Sequence, residues 1–159
     1  MKKLLKSLVL SVVFLHISLN IYANKMEIFG KWEVVSQSPT QKELLIISMK
    51  TLGMQQTNPD DVGFVEVSQI VSISENAMIW ESKGKGVSGS IESLIQIEGK
   101  KIKTVTDGQG ANSAWADYVA KFTPKYYVFN FDSGNLVLIS SKIKAYENRK
   151  IEFVLKRIK

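Results

Sequence analysis

Histidine and cysteine, the side chains that most often carry nucleophilic, acid–base and metal chemistry, are nearly missing from this sequence. The 159-residue chain has no cysteine and one histidine, His16, which lies in an N-terminal segment that we predict is removed. Without an imidazole or a thiol, Ser-His-Asp and Cys-His catalysis are excluded for the remaining chain, and zinc loses its usual ligands. The sequence therefore predicts no metal site and favours a non-catalytic function.

Carboxylates are the next candidates for chemistry. Asp60 and Asp61 follow Pro59 in a polar loop, and two adjacent carboxylates are compatible with Ca²⁺. A calcium loop also needs acidic ligands at alternate positions, which are missing here, so a solvated turn is favoured. Asp107 and Asp117 are a further carboxylate pair, but nothing in their spacing supports glycosidic chemistry.

A glycine-rich stretch, GKGVSG at residues 84–89, has the spacing of a dinucleotide fingerprint. That fingerprint needs a helix after it, whose N-terminus meets the pyrophosphate. Here the following SIESLIQIE alternates with period two and indicates a strand. We therefore predict that Gly84, Gly86 and Gly89 form a turn or bulge between strands, and the sequence predicts no cofactor.

Aromatic side chains and one amide are the candidates for contacts to a small molecule. Tyr127, Phe129 and Phe131 alternate along one strand and share a face that we expect to point inward. Gln69 has the parity of Val71 and is an inward polar candidate, unless a register break turns it outward. Such residues either line an apolar pocket or fill a solid core. The candidate ligand-binding residues are Gln69, Trp80, Trp115, Tyr118, Tyr127, Phe129 and Phe131.

The first 23 residues have the three parts of a secretory signal. Three lysines give a charged start, an apolar run follows at residues 8–19, and Ala23 offers a small residue for cleavage. The run is shorter than the roughly 20 residues of a membrane-spanning helix, although an uncleaved anchor is the alternative. We predict a removed signal peptide at residues 1–23, a single domain at residues 24–159, and export to the periplasm or medium of a bacterium.

Charge argues against a nucleic-acid partner. The formal charge of +6 includes the three signal lysines, so the mature chain carries +3. The remaining basic residues are scattered, whereas a nucleic-acid footprint clusters them on one face. The sequence predicts no nucleic-acid partner, no membrane span after cleavage, and a monomer.

One helix is predicted at residues 40–53, between the first two strands. Thr40 and Glu43 form a capping box, and Gly53 supplies a stop where a positive φ is needed. The apolar residues recur at helical spacing and form one stripe: Leu44, Leu45, Ile47, Met49 and Leu52. The helix is either a mobile lid over a barrel mouth or a permanently packed plug.

Most of the remaining chain alternates with the period of β-strands. About eight strands follow one another, joined by turn signals at residues 98–100 and 132–135, while residues 114–122 fit either a strand or a helical turn. On one strand, Ile91, Ile95 and Ile97 are expected to share a face. This pattern predicts a sandwich or an up-and-down barrel, and an eight-stranded barrel has room for one small ligand.

Two stretches resemble the lipocalins and their calycin relatives. FGKWEVVS at residues 29–36 is similar to the Gly-x-Trp start of the first strand, and FDSGNLVLISS…EFVLKR is similar to the last strands of bacterial lipocalin-like proteins. The resemblance implies an all-β fold with one helix: an eight-stranded antiparallel up-and-down lipocalin-like β-barrel. It also implies that Gly30 and Trp32 close one end of the barrel against a basic residue of the last strand, Arg157 or its neighbour Lys156.

The chain departs from typical lipocalins in two ways. It has no disulfide, and a capped helix replaces the long loop after the first strand, as in the fatty-acid-binding-protein branch. That branch often ends in Arg-x-Tyr, which holds a carboxylate, but residues 157–159 read Arg-Ile-Lys. A fatty-acid headgroup site is therefore not expected.

Together these features predict an exported, non-catalytic protein that binds a small apolar molecule in its barrel. The alternative is an envelope protein-interaction module of protease-inhibitor or immunity type, with a filled barrel and a protein partner. A His- and Cys-free enzyme that uses Tyr or Asp is third. An interior on the order of several hundred Å³, lined by the aromatic candidates, would favour the small-molecule binder.

Overall fold

The computed structural model describes residues 27–54, 58–60, 63–105 and 121–159, so the predicted signal peptide lies outside the described residues. The described chain contains eight strands: β1 (Gly30–Ser38), β2 (Ser68–Ile73), β3 (Ala77–Gly84), β4 (Val87–Glu98), β5 (Lys101–Val105), β6 (Tyr126–Asp132), β7 (Asn135–Ser140) and β8 (Glu152–Arg157). One α-helix, α1 (Gln41–Thr51), lies between β1 and β2, and a single turn of 3₁₀ helix (Lys144–Tyr146) precedes β8.

The strands close into a barrel. Each strand pairs antiparallel with the next, and β8 pairs with β1. The predicted eight-stranded up-and-down barrel with a helix after its first strand is confirmed. The turns predicted at residues 98–100 and 132–135 are present, because β4 pairs with β5 and β6 with β7 across them.

The GKGVSG stretch contains a hairpin turn, as predicted, but of its three glycines only Gly86 lies in the turn, while Gly84 and Gly89 lie in the paired strands. Gly84 in β3 pairs with Val87 in β4, which leaves Lys85 and Gly86 as a two-residue turn. The chain continues as a strand of 12 residues rather than as a helix. No helix N-terminus is therefore available here for a pyrophosphate.

Inward and outward side chains alternate along the strands. Ile91, Ile95 and Ile97 share the inward face of β4, as the register with β5 shows for the last two. Ile95 is buried, whereas Ile91 is 70% exposed. The reason is that Ile91 borders a cavity instead of packing in the core.

The helix begins with the predicted capping box. The backbone N–H of Thr40 donates to the Glu43 carboxylate (2.7 Å), and the backbone N–H of Glu43 donates to the Thr40 hydroxyl (3.3 Å). Gly53, with φ +72°, follows the last turn. Leu44, Ile47 and Met49 are buried. Leu52 was expected in the apolar stripe but is 48% exposed, because it is the C-cap and lies beyond the last helical turn.

Trp32 of β1, which we predict to close one end of the barrel, is only 2% exposed. Its Nε1–H donates to the carbonyl of Ile28 (2.8 Å), and the guanidinium carbon of Arg157 lies 4.9 Å from the ring centroid. Gly30 has φ +133°, and a Cβ there would lie 3.3 Å from Arg157 Nη2. A side chain at this position would therefore meet both backbone strain and a close contact.

Arg157 also fastens the start of the folded chain. Its guanidinium donates to the carbonyls of Glu27 (3.3 Å) and Phe29. Lys156, the alternative that the sequence also allows, lies opposite Glu33 in the β1–β8 ladder and is exposed. The contact to the indole is thus made by the planar cation, which stacks on aromatic faces better than an ammonium does.

Candidate ligand-binding cavity

A cavity of about 620 Å³ lies at the α1 end of the barrel. The helix contributes Leu44, Leu45 and Ser48 to its lining, and Tyr146 of the 3₁₀ turn also borders it. Trp32 is not among the lining residues. The described interior is therefore packed around Trp32 and open beneath the helix.

Three aromatic rings form one wall of the cavity. Trp80 lies 4.9 Å from Phe153 and 6.1 Å from Tyr127 between ring centroids, and Tyr127 lies 6.5 Å from Phe153. Burial, with a smaller contribution from nearby Tyr146, raises the pKa of Tyr127. The phenol therefore stays neutral and protonated at physiological pH, so this wall is large, apolar and uncharged.

The polar part of the lining that the structure describes is also uncharged. Hydroxyl side chains border the cavity at Ser82, Ser93 and Thr104, and amides border it at Gln37 and Gln69. No Asp, Glu, Lys, Arg or His is found among the described lining residues. A charged ligand group buried here would lose its hydration without gaining a counter-charge from them, which costs several kcal/mol.

Two polar atoms in this lining have no hydrogen-bond partner within the described part of the chain. They are Oε1 of Gln69 and Nε1 of Trp80, and both are buried. Buried polar groups in folded proteins are nearly always paired. These two atoms are therefore the polar features of the cavity that need an explanation.

The structure separates the predicted ligand-binding residues. Gln69 points inward, and together with Trp80 and Tyr127 it lines the cavity. Phe129 and Phe131 are not among the lining residues. Phe129 is 2% exposed in the packed core. Phe131, 36% exposed, packs against Trp32 with its ring centroid 6.2 Å away.

Two of the predicted residues cannot be compared with the cavity, and two residues that line it were not predicted. Trp115 and Tyr118 lie outside the described residues. Phe153 and the amide of Gln41 line the cavity but were not predicted. A signal for Phe153 existed, because it alternates with Ile151 and Leu155 along the last strand. No sequence pattern predicts that Gln41 lines the cavity, because its position there depends on how the helix packs against the barrel.

The helix is attached to the barrel by side chains at both ends. Gln41 Nε2 donates to the carbonyl of Val67 (2.8 Å), and the Val67 N–H donates to Gln41 Oε1 (3.1 Å). At the other end, the Lys50 ammonium lies 3.0 Å from the Glu147 carboxylate. A second cavity of about 540 Å³ lies between β1 and the approach to β2, and Gln41 borders this one too.

No metal site is found among the described residues, where no group of three or more His, Cys, Asp or Glu side chains is suitably placed. Asp60 forms an ion pair with Lys42 (3.1 Å). Asp61, Asp107 and Asp117 lie outside the described ranges. Across the part of the chain that is described, no helix is long and apolar enough to cross a membrane.

The chain matches no protein-family profile, and no curated protein matches it either. Solved structures with a similar fold include human cRBP IV, with 9% identity and a TM-score of 0.44, covering 82% of this chain and 98% of the other. Apo lipid binding protein 8 of Caenorhabditis elegans has 8% identity and a TM-score of 0.42, covering 84% and 96%.

The Schistosoma mansoni fatty acid binding protein in complex with arachidonic acid is also similar, with 12% identity and a TM-score of 0.41. It covers 84% of this chain and 97% of the other. These likenesses concern the barrel alone.

Proposed function

We propose that this chain is an exported, non-catalytic binding protein that holds a small apolar molecule in its barrel. The observation that most directly supports this proposal is the cavity of about 620 Å³ beneath α1. That volume lies within the roughly 300–1,000 Å³ of small-molecule sites. An apolar ligand would pack against Trp80, Tyr127 and Phe153 and would be covered by the helix.

The absence of charged side chains among the described lining residues supports binding rather than chemistry. Acid–base catalysis needs a group whose pKa lies near the working pH, whereas the raised pKa of Tyr127 moves its phenol away from that range. The alternative of a protein-interaction module with a filled barrel loses its main support, because the described interior is hollow beneath the helix.

Export is part of the proposal and rests on the sequence of residues 1–23. A charged start, a short apolar run and a small residue at position 23 are together typical of a secretory signal. An exported carrier without cysteine would also fold independently of the redox state of its compartment.

Titration with the neutral fluorophore N-phenyl-1-naphthylamine tests the binding function. We expect a fluorescence increase that saturates at one probe per chain. The double variant Ser82→Trp/Ser93→Trp fills the cavity and should weaken binding at least tenfold. The matched control, Glu81→Trp/Glu92→Trp, places the same rings on exposed, outward positions of β3 and β4 and should bind like the parent.

Circular dichroism would verify that both double variants are folded. The binding function would be refuted if the folded parent took up no probe, or if both double variants bound it equally. Native mass spectrometry of the protein purified from its own cell envelope complements the titration, because a co-purifying small mass would reveal the natural ligand.

A further inference from the structure

The unpaired atoms Gln69 Oε1 and Trp80 Nε1 belong to one small area of the cavity wall. In the β2–β3 ladder, Gln69 lies opposite Ser82, and Trp80 lies opposite Val71. Gln69 and Trp80 are therefore diagonal neighbours on the inward face of adjacent strands. Long side chains in this relationship are within reach of one another, and both residues line the cavity.

The two atoms have opposite hydrogen-bonding roles. The amide oxygen Oε1 accepts, and the indole Nε1–H only donates. A single hydroxyl within reach of both atoms would satisfy them, because its hydrogen donates to Gln69 while a lone pair accepts from Trp80. An ionised carboxylate can only accept, and it would place a negative charge beside the Gln69 oxygen.

We propose that the ligand is an uncharged amphiphile that carries a hydroxyl, or an equivalent neutral donor–acceptor group, bound between Gln69 and Trp80. This inference rests on the proposed function and specifies the chemical class of its ligand. The apolar part of the ligand lies against Tyr127 and Phe153, next to the aromatic wall. The absence of charged side chains among the described lining residues agrees with a neutral ligand.

Competition against N-phenyl-1-naphthylamine tests the assignment with three ligands of similar size: 1-octanol, its isomer heptyl methyl ether, and octanoate. The ether accepts from Trp80 but has no hydrogen to donate to Gln69. We expect 1-octanol to bind about tenfold more tightly than the ether, as one buried hydrogen bond contributes. Octanoate should bind at least about a hundredfold more weakly than 1-octanol.

Two variants assign the effect to the two side chains. Gln69→Leu removes the acceptor, so the preference for the alcohol over the ether should fall to within about twofold. Trp80→Phe removes the donor that both ligands use and should weaken both by about fivefold to tenfold. The matched control is Glu81→Ala, on the exposed outward face of β3 next to Trp80, and it should leave the alcohol preference unchanged.

The outcomes separate this inference from the proposed function. If the probe binds but the alcohol and the ether bind equally, or if folded Gln69→Leu keeps the preference, the hydroxyl assignment is overturned while the binding function stands. Tight binding of octanoate would likewise overturn it, in favour of a charged ligand. If neither the probe nor 1-octanol binds the folded parent, the proposed function itself fails.

Discussion

Gln41 hydrogen-bonds both backbone groups of Val67, so one side chain of α1 takes the place of a strand partner just before β2 begins. The β1–β2 ladder covers only residues 30–33 of β1, and a second cavity lies beyond it. The helix thus depends on this amide to join the barrel wall where the two strands no longer pair.

Substituting Gln41 by Ala should loosen the helix. Two hydrogen bonds are lost, so we expect a decrease of about 1–2 kcal/mol in the free energy of unfolding, together with faster release of N-phenyl-1-naphthylamine. Urea unfolding and stopped-flow fluorescence measure the two effects. Lys42→Ala, which removes an exposed ion pair at the neighbouring position, should alter neither by much; equal release rates in both variants would contradict the attachment.

Trp32, which we predict to close one end of the barrel, should be sensitive to substitution. Trp32→Ala empties a nearly fully buried aromatic site and should cost about 3–5 kcal/mol of stability. Chemical denaturation measures this cost, with the exposed Lys156→Ala as a control that should stay within about 0.5 kcal/mol of the parent. A Trp32→Ala variant as stable as the parent would refute the role of this indole in closing the barrel.

The attachment of α1 should weaken in acid. Hydrogen bonds from Thr40 lower the pKa of Glu43, and a hydrogen bond from Lys50 lowers the pKa of Glu147. A carboxyl group with a lowered pKa in the folded state stabilises the fold above its ordinary pKa of 4.5, and this contribution is lost as the pH falls through the folded value.

Stability should therefore decline as the pH falls below the ordinary pKa of 4.5. The double variant Glu43→Gln/Glu147→Gln should show a smaller decline than the parent. Urea midpoints between about pH 6 and about pH 3 give the comparison. The exposed pair Glu81→Gln/Glu92→Gln is a matched control, because it changes net charge equally without a helix contact. Identical pH profiles for the parent and the first double variant would show that these two carboxylates do not contribute.

The predicted signal peptide defines which N-terminus the exported protein should have. Expressed in a bacterium with a general secretion pathway, the protein should be found in the envelope or medium with Asn24 as its first residue. Val13→Arg interrupts the apolar run and should hold the full precursor in the cytoplasm, whereas Val13→Ile should be processed normally. Intact-mass measurement distinguishes these forms, and an exported chain that still begins at Met1 would indicate an anchor.

Local patterns account for much of what the sequence predicted correctly. The capping box of Thr40 and Glu43 depends on residues three apart, and hairpins depend on a few turn residues between alternating strands. The number and order of the strands followed from these short-range signals, and the resemblance to lipocalins added the closed barrel.

Which inward residues line the cavity could not be read from parity alone. Tyr127 and Phe129 share one face of β6, yet only Tyr127 reaches the cavity. Position along the barrel axis depends on how the strands are staggered, and this is determined by long-range register. The irregularity between Val34 and Ser36, where the β1–β8 register shifts, is one such determinant. Periodicity within a single strand contains no information about it.

The hydrogen bonds of Arg157 to the carbonyls of Glu27 and Phe29 join groups 130 and 128 positions apart in the chain. The β1–β8 ladder has the same requirement, because β8 is the last strand. A chain exported as we propose would thus emerge across the membrane with its first strand still lacking one neighbour, and would complete the barrel only after its C-terminal residues had followed. On the far side of the membrane, pairing of β8 with β1 would then be the step that closes the barrel.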